Sequence, residues 1–278
     1  MYTNPTLKDE IILKKKYIEE KADVYSILNG LFDGALEREA LEHSLRIEYP
    51  LSDQIAHSSS RNINIQSTNA IDFKTLSDNL KHAWKYGRKN FSIPFNDTFL
   101  HELAYKIDPQ AFETFGKGFR TPSLQRLKGG SVRPIDARIT PPYPAKIPLS
   151  MDRFYGCLNK LYTQCPEDNK SNCFDIGAYI HLHLARIHPF DDANGRTARM
   201  LHNLYLRNLN SFPPIIIYEG ERKDYTNRLE NAIVGFQDRE GEKSYGLFRD
   251  EISQQEKEFY DYMAGKLNMT LDRIIEKK

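Results

Sequence analysis

Residues Ile187 to Met200 read I-H-P-F-D-D-A-N-G-R-T-A-R-M. One histidine, two aspartates, an Asn-Gly pair and two arginines stand close together here, between two segments that are rich in apolar residues. Because the flanking sequence is typical of a protein core, these polar groups do more than keep a surface hydrated. The stretch therefore indicates a functional turn between two buried helices.

The segment before this turn predicts the position of His188. Residues Asp175–Ile187, DIGAYIHLHLARI, are apolar on nearly every side, which is typical of a buried helix. Pro189 disfavours the α conformation at His188, so the helix ends there. Burial lowers the pKa of a histidine and the carboxyl end of a helix raises it, and the sequence leaves open which effect is larger. Either way, His188 is a candidate general base that titrates within reach of neutral pH.

The segment after the turn predicts a helix that starts at Gly195, with Asn194 as its N-cap. Arg196 and Arg199 lie near this N-terminus, where each cation is unfavourable by about 0.3–1 kcal/mol. Their placement makes sense if an anion binds to the free backbone N–H groups. Asp191 and Asp192 are carboxylates of the kind that hold Mg²⁺ beside phosphates. Together these groups favour transfer of a phosphate-containing group, although a helix cap and plain salt bridges are the simpler alternative.

The run HPFDDANGRTAR resembles the signature of Fic-domain proteins, HPFx(D/E)GNGRxxR, at every position except Ala193, where the family most often has glycine. Alanine would matter there only if the position required a positive φ. The resemblance implies an all-helical fold. It also implies transfer of AMP from ATP to a hydroxyl of a target protein, because most characterised Fic proteins catalyse this reaction.

The resemblance implies a role for each matching residue. His188 is the general base, Asp192 binds Mg²⁺ that bridges the α- and β-phosphates, and Phe190 anchors the loop in the core. Phosphate oxygens are bound by Asn194, by the backbone at Ala193 and Gly195, and by Arg196 and Arg199. Asp191, at the variable position of the signature, receives no role. The implied cofactor is Mg²⁺, with ATP as co-substrate.

Two further segments resemble parts of the family. Gly118-Phe119-Arg120 and the stretch Val132–Pro142 are similar to the run into a β-hairpin flap, which holds the target protein by strand addition. Val132, Arg133 and Ile135 are the predicted docking residues, with an ordinary surface loop as the alternative. Downstream, the segment Glu221–Tyr225 is similar to the part that closes over the nucleotide base, so Tyr225 is predicted either to stack on adenine or to pack in the core.

Many Fic proteins carry an inhibitory helix, (S/T)xxxE(G/N), whose glutamate pairs with the second arginine of the signature. Residues 55–66 are interpreted as a degenerate form of this helix, with Asn62 or Asn64 in place of the glutamate. Ser44 and Glu48 have the right spacing, but Tyr49 follows and the neighbouring residues match poorly. Inhibition is therefore expected to be weak, absent, or supplied by a partner or another segment.

At the scale of the chain, the fold class is predicted as all-α, a Fic-type helical bundle with a small β-hairpin flap. The expected division is an N-terminal helical region (1–95), a Fic core domain (96–240) and C-terminal helices (241–278). Apolar periodicity predicts one or two helices over about Leu7–Leu31 and a helix over Ala35–Ile55 that is interrupted at Pro50. It also predicts helices over Asp72–Tyr86, Asn96–Ile107, Asp175–His188, Gly195–Asn208, Glu221–Phe236 and Tyr245–Leu271, with another from Met151. The glycine- and proline-rich residues 116–148 predict an extended loop or small hairpin.

Composition limits the function classes. The chain has 278 residues and a formal net charge of +1, which argues against nucleic acid and anionic membranes as partners. No apolar run is long enough to span a bilayer, and the N-terminus lacks the pattern of a signal peptide. Cys157, Cys165 and Cys173 cannot all pair and lack the C-x2-C spacing of zinc sites, so a reducing, cytoplasmic setting is expected.

Several alternatives remain open from the sequence. A Fic enzyme can transfer another group, such as UMP, phosphocholine or phosphate, or can remove AMP from a modified target. A non-catalytic Fic-fold binding module is a second alternative. A metal-dependent phosphohydrolase that uses His181, His183 and His188 is a third, although core positions suit the first two histidines better. The expected partner is a protein substrate, and the sequence leaves a homodimer open.

Overall fold

Helices account for all regular secondary structure in the part of the chain that a computed structural model describes, namely residues 2–50, 73–116, 118–121, 139, 141–164, 174–240 and 252–276. The α-helices there are α1 (Pro5–Glu20), α2 (Ala22–Glu48), α3 (Phe73–Asn90), α4 (Asp97–Ile107), α5 (Pro109–Phe115), α6 (Ile147–Gln164), α7 (Phe174–Ile187), α8 (Asn194–Asn210), α9 (Arg222–Glu240) and α10 (Gln254–Glu276). Short 3₁₀ helices precede α6 and α9. The all-α prediction is confirmed. Of the predicted flap, Val132–Pro142, residues 132–138 and 140 lie outside the described residues, and residues 139, 141 and 142 form no strand.

Helices α7 and α8 form the centre of the bundle. Nearly every residue of α7 is buried, as its apolar sequence predicts. Helices α6, α9 and α10 pack against α7, while α2, α3 and α4 pack against α8. The two central helices approach closely at Gly177, where an added Cβ would lie 2.5 Å from Cδ2 of His202. The turn that contains the signature residues therefore joins the two most deeply buried helices.

Helix α2 is longer than the sequence predicts. The predicted interruption between residues 31 and 35 is wrong, since α2 continues through Gly34, and the break from α1 falls at Lys21. The helix ends where expected, because Pro50 disfavours the α conformation at Tyr49 (φ −126°, ψ 76°). This length carries Ser44 and Glu48 to the N-terminus of α8.

The N-terminal segment is fastened to the first turn of α7. The buried carboxylate of Asp175 accepts hydrogen bonds from the backbone N–H of Tyr2 (2.8 Å) and from the side chain of Thr3, and it forms a salt bridge with Lys8 (3.1 Å). Since α7 ends at the turn that carries His188, this cluster fixes the opposite end of the same helix. Across the described ranges, no helix has both the length and the apolar character needed to traverse a bilayer.

Candidate active site

The turn between α7 and α8 is closed by the side chain of Asn194. Its Oδ1 accepts from the backbone N–H of Phe190 and its Nδ2 donates to the Phe190 carbonyl, both at 2.9 Å. Phe190 is 1% exposed and packs against the rings of Phe112 and Phe119, as an anchor should. The prediction of Asn194 as N-cap is wrong by one residue: α8 begins at Asn194, and Ala193 is the cap.

Two residues of this turn have left-handed backbone conformations, His188 (φ 51°) and Ala193 (φ 64°). A positive φ costs a non-glycine residue roughly 1–2 kcal/mol. Alanine in place of the signature glycine at residue 193 therefore strains the backbone. The strained cap is held in place by its neighbours, including Asp192, whose Oδ1 accepts from the Ala193 N–H at 2.5 Å.

His188 is a neutral imidazole at pH 7. Burial, aided by the positive charge of Arg120, lowers its pKa to about 4, against smaller opposing effects of a hydrogen bond to the Ala185 carbonyl and of the Glu48 charge. Burial thus outweighs the helix end, and the sequence-based expectation of titration near neutral pH is wrong. Because one ring nitrogen donates to Ala185, the other carries the lone pair that a general base needs.

Arg199 is buried and is surrounded by hydrogen-bond partners from α2 and α9. Its Nε donates to Ser44 Oγ (2.9 Å), and its Nη2 donates to the Ser44 carbonyl (3.0 Å) and to Glu48 Oε1 (2.7 Å). Its Nη1 donates to the hydroxyl of Tyr225 at 3.4 Å. The guanidinium that the resemblance assigns to phosphate is therefore bound to a carboxylate in this structure.

Glu48 lies against the N-terminal turn of α8. A Cβ added to Gly195 would stand 2.5 Å from Glu48 Oε1, so only glycine permits the carboxylate to approach this closely. The side chain of Glu48 is 37% exposed, and the packing around its carboxylate disfavours the charged form, but Arg199 and Arg196 outweigh this effect and the pKa of Glu48 is lowered. An ionised carboxylate thus occupies the anion site that a helix N-terminus and two arginines create.

The contact with Glu48 corrects one interpretation of the sequence. The alignment that placed Asn62 or Asn64 opposite Arg199 is wrong about the partner of that arginine, since Glu48 fills the position. Residues 55–66 themselves lie outside the described residues. The signal that could have found Glu48 is its spacing from Ser44, and Ser44 binds the same guanidinium.

Arg196 lies deeper than a surface phosphate ligand would. It is 1% exposed, and its Nη2 contacts Asp108 Oδ2 (2.8 Å) and Asp192 Oδ1 (3.2 Å). The ring of Tyr49 covers the guanidinium at 5.6 Å. Among the described residues, Nε and Nη1 of Arg196 have no hydrogen-bond partner. Two buried donors that lack an acceptor fit a site that receives phosphate oxygens.

Asp192 is the one carboxylate of the turn that suits the predicted Mg²⁺ site. Its side chain is 55% exposed, and its hydrogen bonds with described residues involve Oδ1. The described residues contain no group of three or more His, Cys, Asp or Glu that could hold a metal alone. Mg²⁺ commonly takes one or two carboxylates and completes its shell with substrate phosphates and water, so a lone Asp192 fits a nucleotide-bound ion.

Tyr225 is a core residue, which corrects its assignment to adenine stacking. The side chain is 1% exposed, and its hydroxyl lies 2.7 Å from His181 Nε2 and 3.4 Å from Arg199 Nη1. A ring enclosed in this way offers no face to a nucleotide base. Tyr225 instead orients Arg199, and His181 and His183 are the core histidines that the sequence favoured.

Arg120 and Asp108 are site residues to which sequence reasoning gave no role. Arg120 contacts the backbone of His188, and Asp108 caps α5 through the Ala111 N–H (3.0 Å) while it pairs with Arg196. Neither lies in the signature, so only the fold brings them to it. Asp191 is partly exposed beside the site. The predicted docking residues Val132, Arg133 and Ile135 lie outside the described residues.

Comparison with known proteins points to one family. Residues 99–206 match the model of the Fic/DOC family, which confirms the resemblance to Fic-domain proteins over this part of the chain. A relative from Culex quinquefasciatus named "Protein adenylyltransferase Fic" is 28% identical over 235 residues, which cover 78% of this chain and 42% of the relative. The protein of the same name from Drosophila grimshawi is 34% identical over 112 residues, 39% of this chain and 22% of its own. The chain thus spans less than half the length of these relatives.

Solved structures show the same fold. A Fic domain containing signaling protein from Bacteroides thetaiotaomicron superposes with a TM-score of 0.62 at 18% identity, over 96% of this chain and 95% of its own. A Fic family protein from Desulfovibrio desulfuricans G20 gives a TM-score of 0.63 at 14% identity, over 99% and 76% of the two chains. At such identities these likenesses concern the fold alone.

Proposed function

We propose that this chain is a Mg²⁺- and ATP-dependent protein adenylyltransferase whose own Glu48 restrains it. The observation that carries the proposal is the Glu48 carboxylate, which is held 2.7 Å from Arg199 and directly over Gly195 at the N-terminus of α8. A carboxylate in this position marks a built anion site. The relatives named protein adenylyltransferase support AMP as the transferred group.

The residues of the turn would divide the reaction between them. The oxygen of a Ser, Thr or Tyr hydroxyl on the target protein forms a bond to the α-phosphorus of ATP, and the bond from that phosphorus to the leaving pyrophosphate breaks. His188, neutral at pH 7, takes the hydroxyl proton. After Glu48 withdraws, Arg199 and the unpartnered donors of Arg196 face the phosphate oxygens.

Asn194 and Asp192 would act in different ways. Asn194 has both ends of its amide bound to Phe190, so its contribution is to keep the turn in the shape that presents the α8 N-terminus. Asp192 would hold Mg²⁺, which supplies charge neutralisation at the phosphates when it is bound. The protein substrate would bind by strand addition near residues 132–135, and self-association of the chain remains a further proposal.

Labelled ATP identifies the transferred group. The Glu48→Gly variant would be incubated with cell lysate and ATP labelled at either the α- or the γ-phosphate. Label from the α-position alone on protein supports AMP transfer. Label from the γ-position alone would show phosphorylation instead, and no label from either would favour another donor, removal of AMP, or a binding role.

A matched pair of histidine variants tests the base. His188→Ala in the Glu48→Gly background is expected to lose α-label transfer, because the hydroxyl proton then has no acceptor. His82→Ala, on the exposed face of α3, is the control and is expected to retain it. Equal transfer by both variants would contradict the assigned role of His188.

A further inference from the structure

Arg120 connects its own backbone segment to the turn at His188–Pro189 and to the segment that contains Pro142. Its Nε donates to the carbonyl of His188 at 2.7 Å, and its own backbone N–H donates to the carbonyl of Pro189 at 2.8 Å. Its Nη2 donates to the carbonyl of Pro142. The residue is 6% exposed. A buried cation that binds carbonyl oxygens stands against two successive peptide units of the turn.

These contacts act on the strained part of the turn. His188 has a φ of 51°, a conformation that persists for a residue with a Cβ only when its surroundings fix it. The His188 N–H still closes α7 through the Leu184 carbonyl at 2.9 Å. The carbonyls of His188 and Pro189 are then oriented by Arg120. The bond to Pro189 comes from the Arg120 backbone, whereas the bond to His188 comes from the guanidinium, and loss of the guanidinium bond would free the His188 backbone to relax and would move the imidazole.

Arg120 also sets the electrostatic environment of the imidazole. After burial, its charge is the largest influence that lowers the pKa of His188, and the carboxylate of Glu48 acts in the opposite direction. Glu48 comes from α2, Arg120 from the segment after α5, and the Ala185 carbonyl from α7 itself. A cation beside a histidine keeps it unprotonated, which is the state of a general base.

We propose that Arg120 is a positioning residue for the proposed transfer reaction: its guanidinium fixes the left-handed backbone of His188 and places a positive charge beside the ring. The kinetic part of this inference rests on the proposed function. The structural part concerns only the orientation and protonation of His188, and it can be measured without any substrate.

Two substitutions separate geometry from charge. Arg120→Lys keeps the charge but loses the planar guanidinium, whose separate N–H groups donate to the carbonyls of His188 and Pro142. Arg120→Gln loses the charge. In the Glu48→Gly background, kcat for α-label transfer is expected to fall by up to about 10²-fold in both variants, as displaced catalytic groups do, with KM for ATP within about twofold. Full kcat in Arg120→Lys would overturn the positioning role.

Protonation of His188 is measured by NMR titration of the ¹³C-labelled histidine ring in the full chain, with the signal assigned by its loss in His188→Ala. In otherwise unaltered protein, Arg120→Gln is expected to raise the pKa of His188 above about 4, and Arg120→Lys to leave it near that value. The acid limb of the pH–rate profile moves to higher pH in Arg120→Gln alone, because the base is then protonated at higher pH.

A merely structural role predicts a different pattern. Both variants would then lose activity in proportion to their melting temperature, with the same His188 titration as the parent, and the proposal would be overturned. If Arg120→Gln does not fold, kcat and the melting temperature of Arg120→Lys decide: a fall in kcat at an unchanged melting temperature supports the positioning role, and a fall in kcat that follows the melting temperature overturns it. If the parent protein transfers no AMP, the titration still tests the action of Arg120 on His188.

Discussion

Ala193 and Ser211 stand at the two ends of α8, and both have positive φ, at 64° and 53°. Glycine at either position removes the backbone strain of the folded state, which is worth roughly 1–2 kcal/mol. It also raises the conformational entropy of the unfolded chain, which lowers stability by about 0.5–1 kcal/mol. Ser211 is exposed, so Ser211→Gly is expected to stabilise the protein by about 0.5–1 kcal/mol. Ala193 is 3% exposed, and loss of its methyl costs a further 0.8 kcal/mol or so. Ala193→Gly should therefore leave stability nearly unchanged, and urea unfolding of both variants measures the contrast. A loss of stability in Ser211→Gly would contradict the account.

Gly195 and Glu48 form the tightest contact of the site. A methyl group on residue 195 would stand 2.5 Å from Glu48 Oε1 and 3.2 Å from Arg199 Nη1. Gly195→Ala is expected to destabilise the protein by about 1–3 kcal/mol, as overpacking does. In the Glu48→Gly background the same substitution should cost less, by at least about 0.5 kcal/mol, because the carboxylate is gone. A double-mutant cycle from urea unfolding measures this coupling, and strict additivity would show that Glu48 does not lie over Gly195.

At the scale of the element, polar contacts in the C-terminal half of α2 attach this helix to the rest of the molecule. Arg222 Nε donates to the Ile47 carbonyl (2.6 Å), and Arg273 Nη2 contacts Glu39 (2.8 Å) while its Nη1 donates to the Tyr218 hydroxyl (2.6 Å). Each contact comes from a residue C-terminal to the segment 99–206 that matches the family model. The end of α2 that carries Glu48 is thus fastened by the last third of the chain.

Weakening this attachment should raise basal activity. Arg273→Gln or Arg222→Gln removes contacts worth about 1 kcal/mol, which shifts the population of released α2 by about fivefold. Initial rates of α-label transfer are expected to rise by that factor in otherwise unaltered protein and to stay constant in the Glu48→Gly background. Arg228→Gln is the control, because Arg228 pairs with Asp224 on its own helix. A rise in the control, or an equal rise without Glu48, would show that α2 is not the element involved.

At the scale of the whole molecule, buried histidines make stability depend on pH. Burial lowers the pKa of His188 to about 4 and that of His202 to about 3, below the 6.5 of an unfolded histidine. Below pH 6.5 the unfolded chain therefore binds more protons than the folded one, and stability falls as pH falls. Each histidine contributes about 1.4 kcal/mol per pH unit.

The free energy of unfolding is expected to decrease between pH 7 and pH 5.5, with a smaller decrease in His188→Asn. Urea unfolding at the two pH values measures both. A free energy that does not change with pH, or one that rises on acidification, would contradict the burial of these rings in neutral form.

The sequence was sufficient for the parts of the fold that local rules determine. The apolar length of α7 and the stop before Pro189 follow from burial and proline geometry, the anchoring of Phe190 follows from the resemblance to the family signature, and the structure agrees with all three. Contacts between residues that are distant in the sequence were harder to predict. Arg196 meets Asp108, 88 residues away, and no local pattern identifies that pair. Arg199 meets Glu48, 151 residues away; the spacing of Ser44 and Glu48 fits the inhibitory signature, but the poorly matching neighbours hid it. The placement of Tyr225 stayed open for a related reason, since its i, i+4 pattern fits a core position and a stacking position equally.

The Glu48–Arg199 contact is the central claim, and the most direct test is the initial rate of transfer from α-labelled ATP to protein in otherwise unaltered chain and in Glu48→Gly. Removal of the carboxylate from the anion site is expected to raise the rate at least about tenfold, the effect of 1.4 kcal/mol. Glu48→Gln, which keeps the shape and loses the charge, should also raise it. Equal rates in all three proteins would show that Glu48 does not occupy the site where ATP must bind.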